Sequence, residues 1–509
     1  MTFQHILGIA GVLALLIGVG LYSGRKVSGT KDFTTGGGKA GSLLVCGSIM
    51  GALVGSQATI GTAQLAFNYG LSAWWFTLGS GIGSLLLALF YTKPLRESGC
   101  VTELSIIAKE YGGRAGELGS ALCSIGIFIS VLAQFVACGG LISVLFPSVG
   151  ILPAMVISVL LMAVYVIFGG AWGAGMGGFV KLLLLCLACF SGLIFIYIWS
   201  GGFTALFDLI ENNFLHTNIG KAQTLIGLST IAGHEDFSAR FLSLVARGPV
   251  KDIGSGISLL LGVLSTQTYA QAILSGRSHE AARNGALINA LIIPPLGIAG
   301  VMIGLYMRAH YMLASEAAAL TAAGLPLPDM PILESTIQAF PAFALNHLPP
   351  VFAGVIIGTL FISVIGGGAG LTLGVATIIT NDILLKFFPI KSADTKDEKG
   401  TNAAKSLLMI RGTIMAVLIT AGVIGAFVPG AIINDFGFLS MGLRGAVVFV
   451  PLSLALFMPG KISPRSMLLS IILSPLAVLA ANFCHLPGDP LFYGMGMSCL
   501  WAVIGKVNK

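Results

Sequence analysis

The 509 residues are 56% hydrophobic and only 9% charged, with a mean hydropathy of +0.95, whereas a soluble globular chain carries about 25% charged residues. That balance excludes a soluble domain. The formal charge of +7 calls for no nucleic acid, because basic loops between apolar segments account for it.

Runs of about 18 or more nearly uncharged residues recur from end to end, each long enough to cross the hydrocarbon core as a helix. Helices are expected because lipid offers no partner to an unpaired backbone amide. About thirteen spans are predicted, at roughly 5–22, 43–68, 73–92, 117–146, 151–168, 176–199, 254–273, 286–307, 351–381, 408–427, 437–457, 467–483 and 490–505. The first lacks a basic leader and a small-residue cleavage site, so it reads as a retained helix. The 69 glycines are spread through the spans, where small residues let helices approach closely or break.

Basic residues mark cytoplasmic loops. Arg25, Lys26, Lys31 and Lys39 follow the first span, Lys93, Arg96, Lys109 and Arg114 the third, and Arg277 and Arg283 the seventh. Lys386, Lys391, Lys396, Lys399, Lys405 and Arg411 follow the ninth, and Lys461 and Arg465 the eleventh. The N-terminus is therefore expected outside and the C-terminus in the cytoplasm, in the cell (inner) membrane. The external segments, about 200–250 and 310–348, include an amphipathic stretch from Phe237 to Arg247 that is expected to lie at the interface as a lid.

Span lengths suggest a repeat. Two sets of five, spans two to six and seven to eleven, each run broken, medium, long, medium, medium. An odd-numbered set makes its successor enter from the opposite face, which is the arithmetic of an inverted-topology repeat. The expected organisation is 1–40 for an extra helix and first loop, 41–200 for one five-helix repeat, 201–253 for an external loop, 254–458 for the second repeat, and 459–509 for two further helices. The lead helix of each set looks discontinuous. One is polar and glycine-rich from Leu53 to Gln64; the other carries Ser265, Thr266, Gln267 and Thr268. Interrupted helices at matching places point to a midplane binding site; ordinary packing through small and hydroxyl residues is the blander alternative.

The run from Gly24 to Gly38, the segment Gly61 to Gly70, the turn Gly169-Gly170 before the sixth span, Gln271, and Ala282 to Gly285 come in order and at matching spacing. In these the chain resembles the sodium:solute symporter family over nearly its whole length. The resemblance implies an all-α membrane protein with the LeuT-like fold of two inverted five-helix repeats, one helix before the core and two after it. It implies a secondary active transporter of a small organic solute working by alternating access, with sodium as coupling ion and no other cofactor.

In that family a sodium ion lies between the first and eighth core helices, on backbone carbonyls of the first, here around Gly51 and Val54, and on two adjacent hydroxyl residues of the eighth. Counting back from Asn381 and Asp382, the hydroxyl pair falls on Gly366 and Gly367, with Ser363 the hydroxyl nearby. A hard cation needs oxygen ligands, and two are missing. On the fifth core helix the family's usual aspartate falls on Gly178, and Lys181 stands where glutamine is common. Three residues is nearly one turn, so Lys181 shares a face with Gly178. Its ammonium is expected in the sodium position, and burial eases proton loss there, which makes protons the alternative coupling ion. The competing reading has Lys181 snorkelling to the cytoplasmic surface.

Arg444 lies inside the eleventh span, and an intramembrane charge is by default a functional candidate. Its forked guanidinium suits a carboxylate, so an amino acid or small carboxylate is favoured; the alternative pairs it structurally with Asp435 or backbone carbonyls. Ser56, Gln57, Ala58, Thr59, Gln64, Ser130, Gln134 and Gln267 complete the solute candidates. Family substrate groups come from positions matching Gln57 and Ala58, and with alanine at the second no sugar specificity carries over. Trp74 and Trp75 cap the site from outside or belong to an interfacial belt.

The cysteines show no paired motif for zinc or redox work, and the histidines no metal-ligand spacing. Glu235, Asp236 and His234 form a dense polar cluster that reads as a loop cap. A subunit of an ion-translocating complex would need a file of intramembrane ionisable residues, and only Lys181 and Arg444 qualify. A membrane-embedded enzyme would need convergent catalytic groups. Solute and membrane lipid are the expected partners, with no nucleic acid and no obligate protein partner.

Overall fold

Glycines set how closely the helices approach. A Cβ on Gly8 of the first helix, Phe3–Gly24, would lie 2.7 Å from the backbone of Val351 and Val355, and one on Gly354 would lie 2.3 Å from the carbonyl of His5. The helix Pro350–Ile378 is thus crossed at backbone contact, as small residues permit in lipid. The computed structural model describes residues 2–25, 36–146, 148–227, 237–388, 396–428 and 433–507.

The core helices are named here in chain order. The first is Ser42–Leu53 continued by Thr62–Tyr69, and the second begins at Trp75–Leu86. The third is Gly113–Leu145, and the fourth and fifth share the helical run Ile151–Trp199. The sixth is Pro249–Leu264 with Gln267–Ser275; the seventh, His279–His310; the eighth, Pro350–Ile378. The ninth is Lys396–Gly425, and the tenth is Ile433–Arg444 with Val450–Phe457. Pro464–Phe483 and Pro490–Ile504 follow and pack together.

Both lead helices are interrupted, as their sequences suggest. The first leaves helical geometry at Val54 (φ −89°, ψ 69°) and resumes through a π-turn at Gln57–Gly61. The sixth bends by 45° between Leu264 and Gln267. The run does not continue straight from the fourth helix into the fifth, since the Tyr165 hydroxyl donates to the Gly173 carbonyl at 3.0 Å and would meet a Cβ on Gly177. Residues twelve apart on a straight helix are about 18 Å apart.

By length and composition, nine of the described helices can cross a membrane, or ten with the bent pair, rather than thirteen. The shortfall lies at Ser42–Leu53, Leu152–Ile167 and Pro490–Ile504, which are apolar but short. The run Gln57–Glu97 is also counted as one, although Gly70 (φ +56°) turns it. The fold is all-α as expected, with one pair of parallel two-residue strands, Met312–Leu313 and Ile332–Leu333, outside the helices. Exposed Leu7, Leu15, Leu160, Leu187, Ile194 and Val503 give the bundle an apolar exterior that water would not tolerate and lipid does.

Contacts gather the basic loops onto one end. Ala40 N–H donates to Ser275 O at 2.9 Å and Arg277 N–H to Ala40 O at 2.8 Å. The Arg96 guanidinium donates to Gly276 O at 2.6 Å, Gly460 N–H donates to Glu110 Oε1 at 2.5 Å, and Lys386 pairs with Glu117 at 3.0 Å. At the opposite end the stretch from Phe237 is packed inside the protein rather than laid on the interface. Arg240 is 2% exposed and donates to Asn68 O at 3.3 Å. A cation at that helix C-terminus offsets its dipole. Gly70 permits the packing, since a Cβ there would lie 2.1 Å from Phe241 O. The Glu235, Asp236 and His234 cluster lies outside the described residues.

Candidate functional site

The interruption of the first core helix leaves carbonyls without intrahelical partners, and two neighbouring helices supply donors. Lys181 of the fifth helix, 1% exposed, donates from Nζ to Gly51 O at 2.8 Å and to Ser363 O at 3.3 Å. Ser363 Oγ of the eighth helix donates to Val54 O at 2.9 Å and Gly55 O at 3.2 Å. The lysine therefore points into the bundle and does not snorkel. Charge-assisted bonds to carbonyls compensate its burial.

The three glycines noted beside it shape this site. A Cβ on Gly178 would lie 1.8 Å from Gly47 O, so the fifth helix touches the first backbone to backbone. On Gly367 it would lie 2.9 Å from Gly55 Cα, leaving no room for a hydroxyl side chain. On Gly366 it would lie 3.7 Å from Lys181 Nζ, a space that the lysine already borders. Gly178→Ala is expected to cost about 1–3 kcal/mol or more through overpacking, read as a lower thermal midpoint. An unchanged midpoint would mean that this contact is absent.

Beside the interruption, Ser56 N–H donates to Gln134 Oε1 at 2.9 Å, so the third helix caps the resumed half of the first. Ser56 Oγ, Gln57 Nε2 and Gln134 Nε2 are buried without hydrogen-bond partners among the described residues. Asn434, which the sequence did not single out, has no partner for either amide atom among the described residues and lies against Gly61, where a Cβ would be 2.2 Å from its Oδ1. Buried polar atoms left unpaired are costly, so this group has hydrogen-bonding capacity to offer a solute. Ala58 is buried among them, and Thr59 Oγ1 turns back to Gly55 O at 3.0 Å.

Two other solute candidates are committed to the chain in this conformation. Gln64 donates to Thr336 Oγ1 at 3.1 Å and accepts from Ile433 N–H at 3.2 Å. Gln267 accepts from Glu103 N–H at 2.9 Å and donates to Val101 O at 3.1 Å, so it clamps a loop at the basic end. Trp74 and Trp75 donate to Pro294 O at 2.9 Å and Leu244 O at 2.6 Å, tying the second helix to its neighbours.

Arg444 is fully buried. Its Nε donates to Ser440 O at 3.0 Å, Nη1 to Thr266 Oγ1 at 2.8 Å, and Nη2 to Ser440 Oγ at 2.8 Å and Ser130 Oγ at 3.1 Å. It thus reaches the break in the sixth helix. Asp435 is not its partner: it stands nine residues earlier, about 13 Å along the helix, in a cavity of about 260 Å³ shared with Arg247, Lys251 and Asp489. The backbone carbonyl of the structural alternative is used, but hydroxyls do the rest, and among the described residues no carboxylate forms an ion pair with this guanidinium.

Sequence reasoning also passed over Glu103. It begins the short helix Glu103–Tyr111 at the basic end, where an acid in a first turn reads as ordinary dipole chemistry. In the fold it is 1% exposed.

The model of the sodium:solute symporter family matches residues 33–459. The human high affinity choline transporter 1 is 26% identical over 470 residues, 90% of this chain and 73% of that protein. The sodium/glucose cotransporter of Vibrio parahaemolyticus is 22% identical over 437 residues, 82% of this chain and 75% of that protein. Among solved structures, the substrate-bound outward-open state of a Na+-coupled sialic acid symporter superposes with a TM-score of 0.74 at 18% identity, covering 99% of this chain and 96% of that one. The fold is therefore LeuT-like. This chain belongs to the sodium:solute symporter family, and it is a secondary transporter in the membrane rather than an enzyme.

Proposed function

We propose that the chain takes up a small carboxylate-bearing solute, an amino acid or simple acid, and couples that uptake to protons through Lys181. The observation carrying this reading is the Lys181 ammonium, donating to Gly51 O at 2.8 Å and Ser363 O at 3.3 Å between the first and eighth helices. Those carbonyls are what a sodium ion would need there, and a hard cation does not share them with an ammonium group. Ser363 Oγ is the hydroxyl beside them, donating to Val54 O, and Gly366 and Gly367 add no side-chain oxygen. The residues present do not fit sodium at this place.

As an ammonium, Lys181 ties the first helix to the eighth by charge-assisted bonds. As an amine it holds them less strongly, so gain and loss of one proton biases the two access states. The basic end faces the cytoplasm, the N-terminus lies outside, and the cell (inner) membrane is the location. Arg444, at the break of the sixth helix, supplies a fork for a carboxylate once the solute displaces Thr266 and Ser130 from its guanidinium, while Ser56, Gln57, Gln134 and Asn434 supply neutral hydrogen bonds. Relatives whose names specify choline, glucose and sialic acid span a cation, a sugar and an acid, so the choice of an acid rests on Arg444.

The test is solid-supported-membrane current and uptake in proteoliposomes, screening amino acids and small carboxylates under a sodium gradient, a proton gradient, or neither. Proton-driven, sodium-independent flux is expected. Flux driven by sodium alone would return the protein to the coupling its family name carries.

A further inference from the structure

The helix Glu103–Tyr111 is fastened across the basic end by two clamps. Gln267 holds Val101 O and Glu103 N–H. The Asp382 carboxylate, at the end of the eighth helix, accepts from Thr102 Oγ1 at 2.9 Å, Ser105 Oγ at 2.9 Å and Ser120 Oγ at 3.1 Å. The clamps fix the first residue of the helix, and its side chain is buried beneath them. Neither Oε1 nor Oε2 of Glu103 has a hydrogen-bond partner among the described residues.

An ionised carboxylate demands donors, and an acid group in a dry site sheds its charge instead. The charged and titratable groups that face Glu103 are few. Arg444 comes from the tenth helix, Cys123 from the third, and Tyr91 from the end of the second. Arg444 already donates to Ser440, Thr266 and Ser130, and the Tyr91 hydroxyl is engaged with Ser453. Asp382 is satisfied by its three hydroxyls. From the helices packed on the other side, Val450–Phe457 has no titratable group and Arg465 of Pro464–Phe483 is exposed. Burial holds the Glu103 carboxyl well above the usual carboxylate range, with Arg444 as the opposing influence.

We propose that Glu103 is a proton-binding site of a gate at the basic end: closing buries it as the neutral acid, and opening releases one proton from its carboxyl to water on that side. The proton leaves and returns through the same solution, so the site adds nothing to the transport stoichiometry. It makes closure depend on the pH of the cytoplasm under the orientation proposed above. The sign follows from linkage. Below the ordinary glutamate value, about 4.3, the acid is protonated in both states and the closed gate is favoured in full. As pH rises from there through the raised value, the open state alone ionises, and the opening constant rises about tenfold per pH unit. Above it the effect saturates.

Hydrogen exchange across residues 100–111, measured on the full chain in nanodiscs between pH 5 and 8, tests this without a known solute. Glu103→Gln is compared at each pH, so that intrinsic exchange chemistry cancels. The wild type is expected to open progressively more than Glu103→Gln as pH rises, by up to tenfold per unit, with Glu103→Asp retaining the slope. Lys181→Met shifts the overall level but keeps the slope, which separates this site from the proposed coupling lysine. A wild-type profile parallel to that of Glu103→Gln would overturn the proposal. So would loss of the slope in Lys181→Met, or a gate loosened at all pH values by Glu103→Gln, the signature of a carboxylate held ionised by Arg444.

Discussion

Lys181→Met is expected to reduce proton-driven uptake by about 10- to 100-fold and to remove its dependence on external pH, while leaving the protein folded. The variant keeps the unbranched length but leaves Gly51 O and Ser363 O without the donor they have now. Each buried acceptor left unpaired costs about 1–3 kcal/mol, and 1.4 kcal/mol is tenfold in an equilibrium or rate. The fold absorbs this because Ser363 Oγ still joins the eighth helix to Val54 and Gly55. The decisive readout is flux against a proton gradient compared with exchange at equal pH. Loss of gradient-driven flux with residual exchange is the expected pattern. Unchanged pH-dependent uptake in Lys181→Met would remove the lysine from the coupling mechanism.

Arg444→Met separates function from stability in the opposite sense to most buried substitutions. Uptake of a carboxylate solute is expected to fall by about 100-fold or more, the loss of a two-pronged charge-assisted contact. Yet the thermal midpoint is expected to hold or rise, because a buried cation without a paired anion is expensive. The hydroxyls it leaves behind remain satisfied. Ser130 Oγ donates to Ser440 Oγ at 2.8 Å, Ser440 Oγ donates to Gly126 O, and Thr266 Oγ1 donates to Gly262 O at 2.5 Å. Arg444→Lys is not conservative, since one ammonium cannot reach Thr266 and the Ser130–Ser440 pair with the same geometry. Thermal unfolding beside uptake of the acid and of its methyl ester checks the assignment. A midpoint lowered by several degrees with uptake intact would make Arg444 a structural residue.

The class of solvent, the helical fold and the family are all legible in the residues alone. The reason is local: each span must be apolar along its own length and satisfy its own backbone, so hydropathy reads it directly. The interruptions at Val54 and between Leu264 and Gln267 were legible for the same reason, since glycine, hydroxyl and amide residues replace the apolar run where the helix opens. Lys181 and Arg444 stood out because a charge inside such a run is rare.

Where those side chains end was decided only by packing. The spacing of Lys181 allowed either the bundle interior or the surface, and contact of Gly178 with Gly47 turns its face inward toward Gly51. Gln267 read as a solute ligand beside a helix break, but that break aims it at Val101 and Glu103, more than 160 residues away in sequence. Asp435 read as a partner for Arg444 by proximity in sequence, yet the helix carries it to a separate cavity. Glu103 carries no sequence signal beyond a helix start, and it is buried only once the clamps from the sixth and eighth helices hold its helix against the bundle. Hydrogen bonds between helices depend on rotation and register, which apolar patterning leaves open and close glycine contacts fix.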